Sequence, residues 1–345
     1  LKRWLFMMIA ILGIFVLTAC GSDESSDAKG SSDNGEQTED TDENAEDTGD
    51  KTYHIGATQI LEHPSLDAAY EGFKTALDDA GLDVEYDFQS AQNDQNNVST
   101  ISNKFVADGV DLIFANSTPS ALGALQATSD IPILFTSVTD PVEAGLVESV
   151  DQPGDNITGV TDLHPDAIKN TVEFIDKYFE GASVGLIYNA GEQNSVSQIE
   201  SVKEAADGTS LSFVERTVAN SAEVQQAAST IVSEADVIYI VTDNTVVSAL
   251  ETVVGVTNEQ DIPLIVGEPD SLAKGGFATY GIDYNTIGYR TGEMAAEILT
   301  GEKTTADIPV EYPPEIQLFI NKQAAEEQGI EWNSDWDEAK FVEQE

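Results

Sequence analysis

Basic side chains are scarce in this chain: 15 Lys and Arg stand against 63 Asp and Glu, a formal net charge of −48. Phosphate binding needs the opposite sign, so nucleic acid is excluded as a partner. Cysteine is rarer still. Cys20 stands alone, so no disulfide can form within the chain, and at that position it reads as an acylation site rather than a redox centre. Only three histidines occur, His54, His63 and His164, and no cluster has the spacing of zinc ligands. There is no strand–helix elbow of the G-x-S-x-G type. The stretch "GEKTT" at 301–305 lacks the spacing of a phosphate loop and follows a helix rather than a strand. These absences argue against an enzyme, and nothing in the sequence calls for a cofactor or a metal.

No apolar run is long enough for a comfortable membrane span. The longest, Trp4 to Leu17, follows Lys2 and Arg3 and leads into "LTAC". A basic start, a short apolar stretch and small residues before a cut site mark residues 1–20 as a secretory signal. "LTAC" followed by Gly21 resembles the lipobox of bacterial lipoproteins, which implies lipidation of Cys20 and attachment to the extracytoplasmic face of the cell membrane. Residues 21–50 have no aromatic side chain, no periodic apolar face and abundant acid, the composition of a disordered tether. The tether does not explain the charge. Only 12 acids and three bases fall before residue 51, leaving 51 acids against 12 bases, a net of −39. A field of that size repels itself in dilute buffer and is relieved by salt, so it points to a salty or alkaline habitat.

The remaining chain is long enough for two cores, and it is patterned twice over. "DLIFANSTPSALGAL" (111–125) and "DVIYIVTDNTVVSAL" (236–250) share one layout: an Asp, an apolar run, a polar tip and a helical face. "DIPILFTSVTD" (130–140) is matched by "DIPLIVGEPD" (261–270). Apolar runs "YHIGAT", "VEYDF", "DLIFA", "PILFT" and "NITGV" form one strand series; "SVGLIYN", "LSFVERTV", "DVIYIVT", "PLIVG" and "GFATYGI" form a second. Amphipathic segments separate them, and strands alternating with helices predict parallel sheets covered on both faces. The expected architecture is α/β, with two doubly wound lobes joined by a three-strand hinge. The expected division is 53–160 plus 283–312 for the first lobe and 161–282 plus 313–345 for the second.

The segments "QILEHPSLDAAYEGF", "FTSVTDPVEAGLV", "NITGVTD", "NAGEQNSV", "VTDNTV", "GEPDSLAKGGFATYGIDYNTIGYRTGEMAAEIL" and "IPVEYPPEIQLFIN" run in order from about Tyr53 to Gly329. Together they resemble the ABC-transporter substrate-binding lipoproteins of the type I periplasmic-binding fold that include tryptophan- and tyrosine-binding members. The extreme acidity is not a feature of that family. The resemblance implies a monomeric, hinge-closing receptor that takes an amino-acid-like ligand, tryptophan or tyrosine, and passes it to a separate ABC permease and its ATPase. A sugar receptor of the same fold and a ligand-binding sensor subunit are the alternatives.

Open parallel sheets bind ligands beyond the carboxyl ends of their strands. An amino acid's carboxylate suits a helix N-terminus with hydroxyls, which Ser117 and Thr118 before Pro119 supply; the same residues also suit a routine cap. Its ammonium needs a carboxylate, and Asp243, with Asn244 beside it, stands at a strand tip in the other lobe, where Asp is also a favoured cap. Ser137, Thr139 and Asp140 end the fourth strand, although Asp140 before Pro141 also suits a turn. The resemblance adds Asn194 and Ser195 at a helix start. Gln59 and His63 follow the first strand, His63 either meeting an aromatic ligand or serving a turn. Glu268 in "GEPD" faces ligand or hinge.

Overall fold

The structure, a computed structural model, describes residues 51–344; residues 1–50, on which the expected signal, the lipidation of Cys20 and the acidic tether fall, lie outside the described residues. The first strand series forms β1 (Thr52–Gln59), β2 (Asp83–Ser90), β3 (Leu112–Asn116), β4 (Ile133–Val138) and β5 (Ile157–Thr161). Helices α1 (Pro64–Asp79), α2 (Gln95–Asp108) and α3 (Thr118–Ala127) separate the first four. These strands make one wholly parallel sheet in the order β2-β1-β3-β4-β5. Strand periodicity of two sorts its side chains. Leu112, Phe114 and Leu134 pack with Phe73 and Ile287 on one face, while Ile113, Ala115, Ile133 and Phe135 pack with Phe105 and Ala121 on the other. Both faces are covered, which is why the strands read as continuous apolar runs rather than alternating ones.

The second series begins with α4 (Ala167–Tyr178), β6 (Ser183–Asn189), α5 (Gln193–Ala205), β7 (Ser212–Val218), α6 (Val224–Ile231) and β8 (Val237–Ile240). It continues through α7 (Asn244–Val247), α8 (Leu250–Glu259), β9 (Leu264–Val266), α9 (Asp270–Ala273) and β10 (Ala278–Gly281). After α10 (Tyr284–Leu299) come β11 (Gln317–Ile320), α11 (Lys322–Glu327) and β12 (Lys340–Phe341). The second sheet runs β12-β11-β10-β9-β8-β6-β7, and only the β10–β11 pair is antiparallel. Its β7-β6-β8-β9-β10 part repeats the order of the first sheet. The echo in the sequence is therefore an echo of topology.

Helix α10 follows a strand of the second sheet but packs on α1 of the first. The contact is close because glycines line it: a Cβ on Gly288 would lie 1.9 Å from the Ala69 carbonyl oxygen, and one on Gly72 would lie 2.2 Å from that of Asn285. Met294 and Ala295 of α10 share the core of Phe73 and Leu134. The chain thus crosses between lobes three times: after β5, before α10 and before β11. The outer crossings are bound together at their roots. Thr161 donates its N–H to the Glu311 carbonyl at 2.9 Å, Glu311 returns one to Gly159 at 3.0 Å, and Arg290 of α10 clamps the Glu311 carboxylate at 2.9 and 2.8 Å. Two doubly wound parallel-sheet lobes joined by three crossings is the architecture. Among the described residues no helix is long and apolar enough to cross a membrane.

Candidate functional site

Segments leaving the carboxyl ends of both sheets meet around a cavity of about 40 Å³ between the lobes. That is well below the roughly 150 Å³ in which a benzene ring is held in a protein interior. An amino acid enters only if the lobes part or the walls move. The lobes are held together beside it. The Ser65 hydroxyl on α1 lies 2.6 Å from Glu268 and 2.5 Å from Asp270 across the gap. Asn93 donates to the Thr245 hydroxyl at 3.1 Å, Gln198 donates to that of Thr139 at 3.4 Å, and the Ser197 hydroxyl donates to Glu143. This is a closed arrangement.

Eight of the residues expected from the sequence line the cavity: His63, Thr118, Ser137, Thr139, Asn194, Asp243, Asn244 and Glu268. Four do not. Gln59 is turned into the first lobe, donating to Asp67 at 2.8 Å and accepting from Asn116 at 3.3 Å. Ser117 caps its own helix, accepting from the Ser120 N–H at 3.3 Å. Asp140 closes the turn over Pro141 by accepting from the Val142 and Glu143 N–H groups, both at 2.9 Å. Ser195 is fully buried behind the wall, and its hydroxyl supports Asp243. Ser117 and Asp140 thus fill the capping and turn roles their residue types take wherever strands end.

Asp243 also caps. Its Oδ1 accepts from the Val246 N–H at 2.7 Å and its Oδ2 from the Asn189 N–H at 2.6 Å, so it joins the start of α7 to the end of β6. Burial, with the Glu192 carboxylate close by, pushes its pKa up to about 7. Glu192 is itself spent on the same turn, accepting from the Asn244 and Thr245 N–H groups at 3.1 and 3.0 Å. Glu268 does for α9 what Asp243 does for α7, accepting from the Asp270 and Ser271 N–H groups at 2.7 and 2.8 Å. His63 caps α1 through Nδ1, which accepts from the Ser65 N–H at 3.4 Å. Its proton therefore sits on Nε2, which is buried and makes no hydrogen bond, 3.9 Å from Glu268. Burial pulls the His63 pKa down against the pull of Glu268, keeping the ring neutral.

Sequence reasoning passed over Asp162, Tyr284 and Ser65, which line the cavity with Thr242, Leu61, Leu66 and Val247. Asp162 stands one residue past β5 and accepts from the Tyr284 hydroxyl at 3.1 Å through Oδ2. Burial pushes its pKa up to about 6, opposed by the Tyr284 and Thr139 hydroxyls. Its signal was present in "NITGVTD": a carboxylate at a strand tip, the same feature that marked Asp243. Four buried polar atoms on the lining side chains make no hydrogen bond: His63 Nε2, Ser137 Oγ, Asp162 Oδ1 and Asn194 Oδ1. Native interiors satisfy nearly all such atoms, so a group of four around one cavity describes a ligand with both donors and acceptors.

Residues 54–337 match the family described as ABC transporter substrate binding protein. The chain is 42% identical over 327 residues to a tyrosine-binding protein of Clostridioides difficile strain R20291, covering 93% of this chain and 90% of that one. It superposes with a TM-score of 0.80, at 33% identity, on an ABC domain in complex with L-Trp from Streptococcus pneumonia, covering 85% of this chain and all of the other. Against a ligand-free, open substrate binding protein with adhesive properties from Clostridium difficile the TM-score is 0.64, although identity is 39%, over 85% of this chain and all of that one. The more identical chain superposes less well; that structure is open, whereas the lobes of this chain are held together beside the cavity. With the family match spanning both lobes and the closed interlobe cavity at its centre, the chain belongs to the ABC transporter substrate-binding proteins, whose role is binding rather than catalysis.

Proposed function

We propose that this chain is the membrane-anchored receptor of an ABC importer and that it captures an aromatic amino acid, tyrosine or tryptophan, between its lobes for delivery to a permease and its ATPase. The observation that carries the reading is the set of unpartnered buried polar atoms on one cavity, a donor at His63 and acceptors at Asp162 and Asn194. A zwitterion has the matching groups. The named ligands of the two relatives, one tyrosine and one tryptophan, support an aromatic side chain. Leu61, Leu66 and Val247 give the cavity apolar wall for such a ring. Calorimetry of the full chain in detergent against the twenty amino acids tests this. Binding of an aromatic one is expected, and no heat with any aromatic amino acid refutes it.

On this reading the first lobe comprises 53–160 with 283–312, the second 161–282 with 313–345, and the receptor works as a monomer. Residues 1–20 are its signal, Cys20 carries its lipid and residues 21–50 hold it off the membrane. Two acyl chains suffice for stable attachment where one does not. Cys20→Ser is expected to abolish incorporation of a labelled fatty acid; full labelling of that variant refutes the anchor. The acidic surface fits a receptor working in concentrated salt.

A further inference from the structure

We infer that Asp162 receives the ammonium group of the bound amino acid, with Asn194 Oδ1 as a second acceptor, while Asp243 and Glu268 shape the site without meeting that charge. The inference deepens the proposed function and rests on it. Three carboxyl groups border the cavity: Asp162, Asp243 and Glu268. Each oxygen of Asp243 holds a backbone N–H, and each oxygen of Glu268 does the same. Turning either group toward a ligand strands those N–H groups unpaired in the interior, a loss the ligand contact must first offset.

Asp162 is placed differently. Its backbone is pinned by an N–H donated to the Val138 carbonyl at 3.1 Å, and Tyr284 holds Oδ2. No backbone N–H of a neighbouring residue takes up the side chain, and Oδ1 is buried without a hydrogen bond. An ammonium group brings three donors and no acceptor, the complement of such an atom. Asn194 offers the same from α5 of the second lobe. Its Nδ2 is committed to the Thr242 carbonyl at 2.9 Å, which leaves Oδ1 as the free end of the amide. Asp162 lies on the crossing after β5 and Asn194 on α5, so a cation bonded to both ties the hinge to the second lobe. The amino group then becomes part of what holds the lobes shut.

The test is calorimetry of the full chain with L-tryptophan, L-tyrosine and their deaminated analogues, 3-indolepropionate and 3-(4-hydroxyphenyl)propionate. Asp162→Asn is expected to weaken the amino acids about 10- to 150-fold, the worth of a charge-assisted hydrogen bond, and to leave the deaminated analogues nearly unchanged. Asp243→Asn is expected to weaken all four alike, because it disturbs the wall and not the ammonium contact. Should Asp162→Asn not fold, the smaller neutral Asp162→Ser carries the same expectation. A preference for amino over deaminated ligand that survives in the Asp162 variant, or that collapses in Asp243→Asn instead, overturns the inference while leaving the proposed function standing. A wild-type chain that binds neither amino acid overturns both.

Discussion

Ser197 offers a way to weigh closure separately from ligand contact. It sits on α5 outside the cavity lining, and its hydroxyl donates to the carboxylate of Glu143 on the segment following β4, in the other lobe. The bond exists only while the lobes are together. Hydrogen bonds to charged groups contribute about 1.5–3 kcal/mol, but Glu143 is exposed, and water replaces much of what is lost on opening. Removing the hydroxyl should therefore shift the closing equilibrium by about 1–1.5 kcal/mol, or about 5- to 13-fold in affinity when closure is what retains the ligand. Ser197→Ala does this at a helical position where Ala is favoured, so folding should not suffer. Calorimetry should show the weaker binding, and stopped-flow kinetics should place it in the dissociation rate. Glu143→Gln should produce less than its full effect in the Ser197→Ala background, since the two act through one bond. An affinity unchanged in Ser197→Ala would show that contacts beyond the cavity do not hold the closed form.

The α1–α10 contact predicts that Gly288→Ala destabilises the chain by about 2–3 kcal/mol in thermal denaturation, because a methyl 1.9 Å from the Ala69 carbonyl must force the helices apart despite the better helix propensity. Asp243 has a folded-state pKa near 7, raised first by burial and then by Glu192, above its unfolded value. The folded state therefore binds the proton more tightly, and stability falls as pH rises from about 4 to about 7. Asp162, raised to about 6, acts in the same direction. Asp243→Asn should shrink the loss of stability between pH 5 and pH 8 in denaturant titrations by about 2 kcal/mol, and an unchanged loss would refute the assignment. With a net of −39 on residues 51–345, the melting temperature should climb from dilute buffer to molar NaCl, and a flat or falling trend would remove the argument from habitat.

Much of the fold was legible because it rests on local rules. An apolar run such as "DLIFA" that ends in a polar tip and a helix is a strand of a parallel sheet whatever surrounds it, and β3 and β8 both follow that rule. The tandem echo carried the shared strand order, and the helical period of 283–302 carried α10. No local rule says where α10 packs. The placing of 283–312 in the first lobe was an expectation from the sequence, and the close fit of Gly288 against Ala69 is the tertiary contact that supports it.

The site divides along the same line. Residue type and position at a strand tip pointed to His63, Thr118, Ser137, Thr139, Asp243, Asn244 and Glu268, and the family resemblance to Asn194, all of which line the cavity, since loops at the carboxyl ends of parallel strands face the interlobe space. Nothing local distinguishes a carboxylate that caps a helix from one that meets a ligand, because both sit at strand tips and both accept from N–H groups. Asp243, Glu268 and Asp162 are alike in sequence on that account. Tertiary structure separates them: the turns into α7 and α9 bring backbone N–H groups onto the first two, while the crossing after β5 leaves Asp162 with a tyrosine on one oxygen and nothing on the other. Hydrogen-bond saturation is a property of three-dimensional neighbours, and that is why only the fold could decide it.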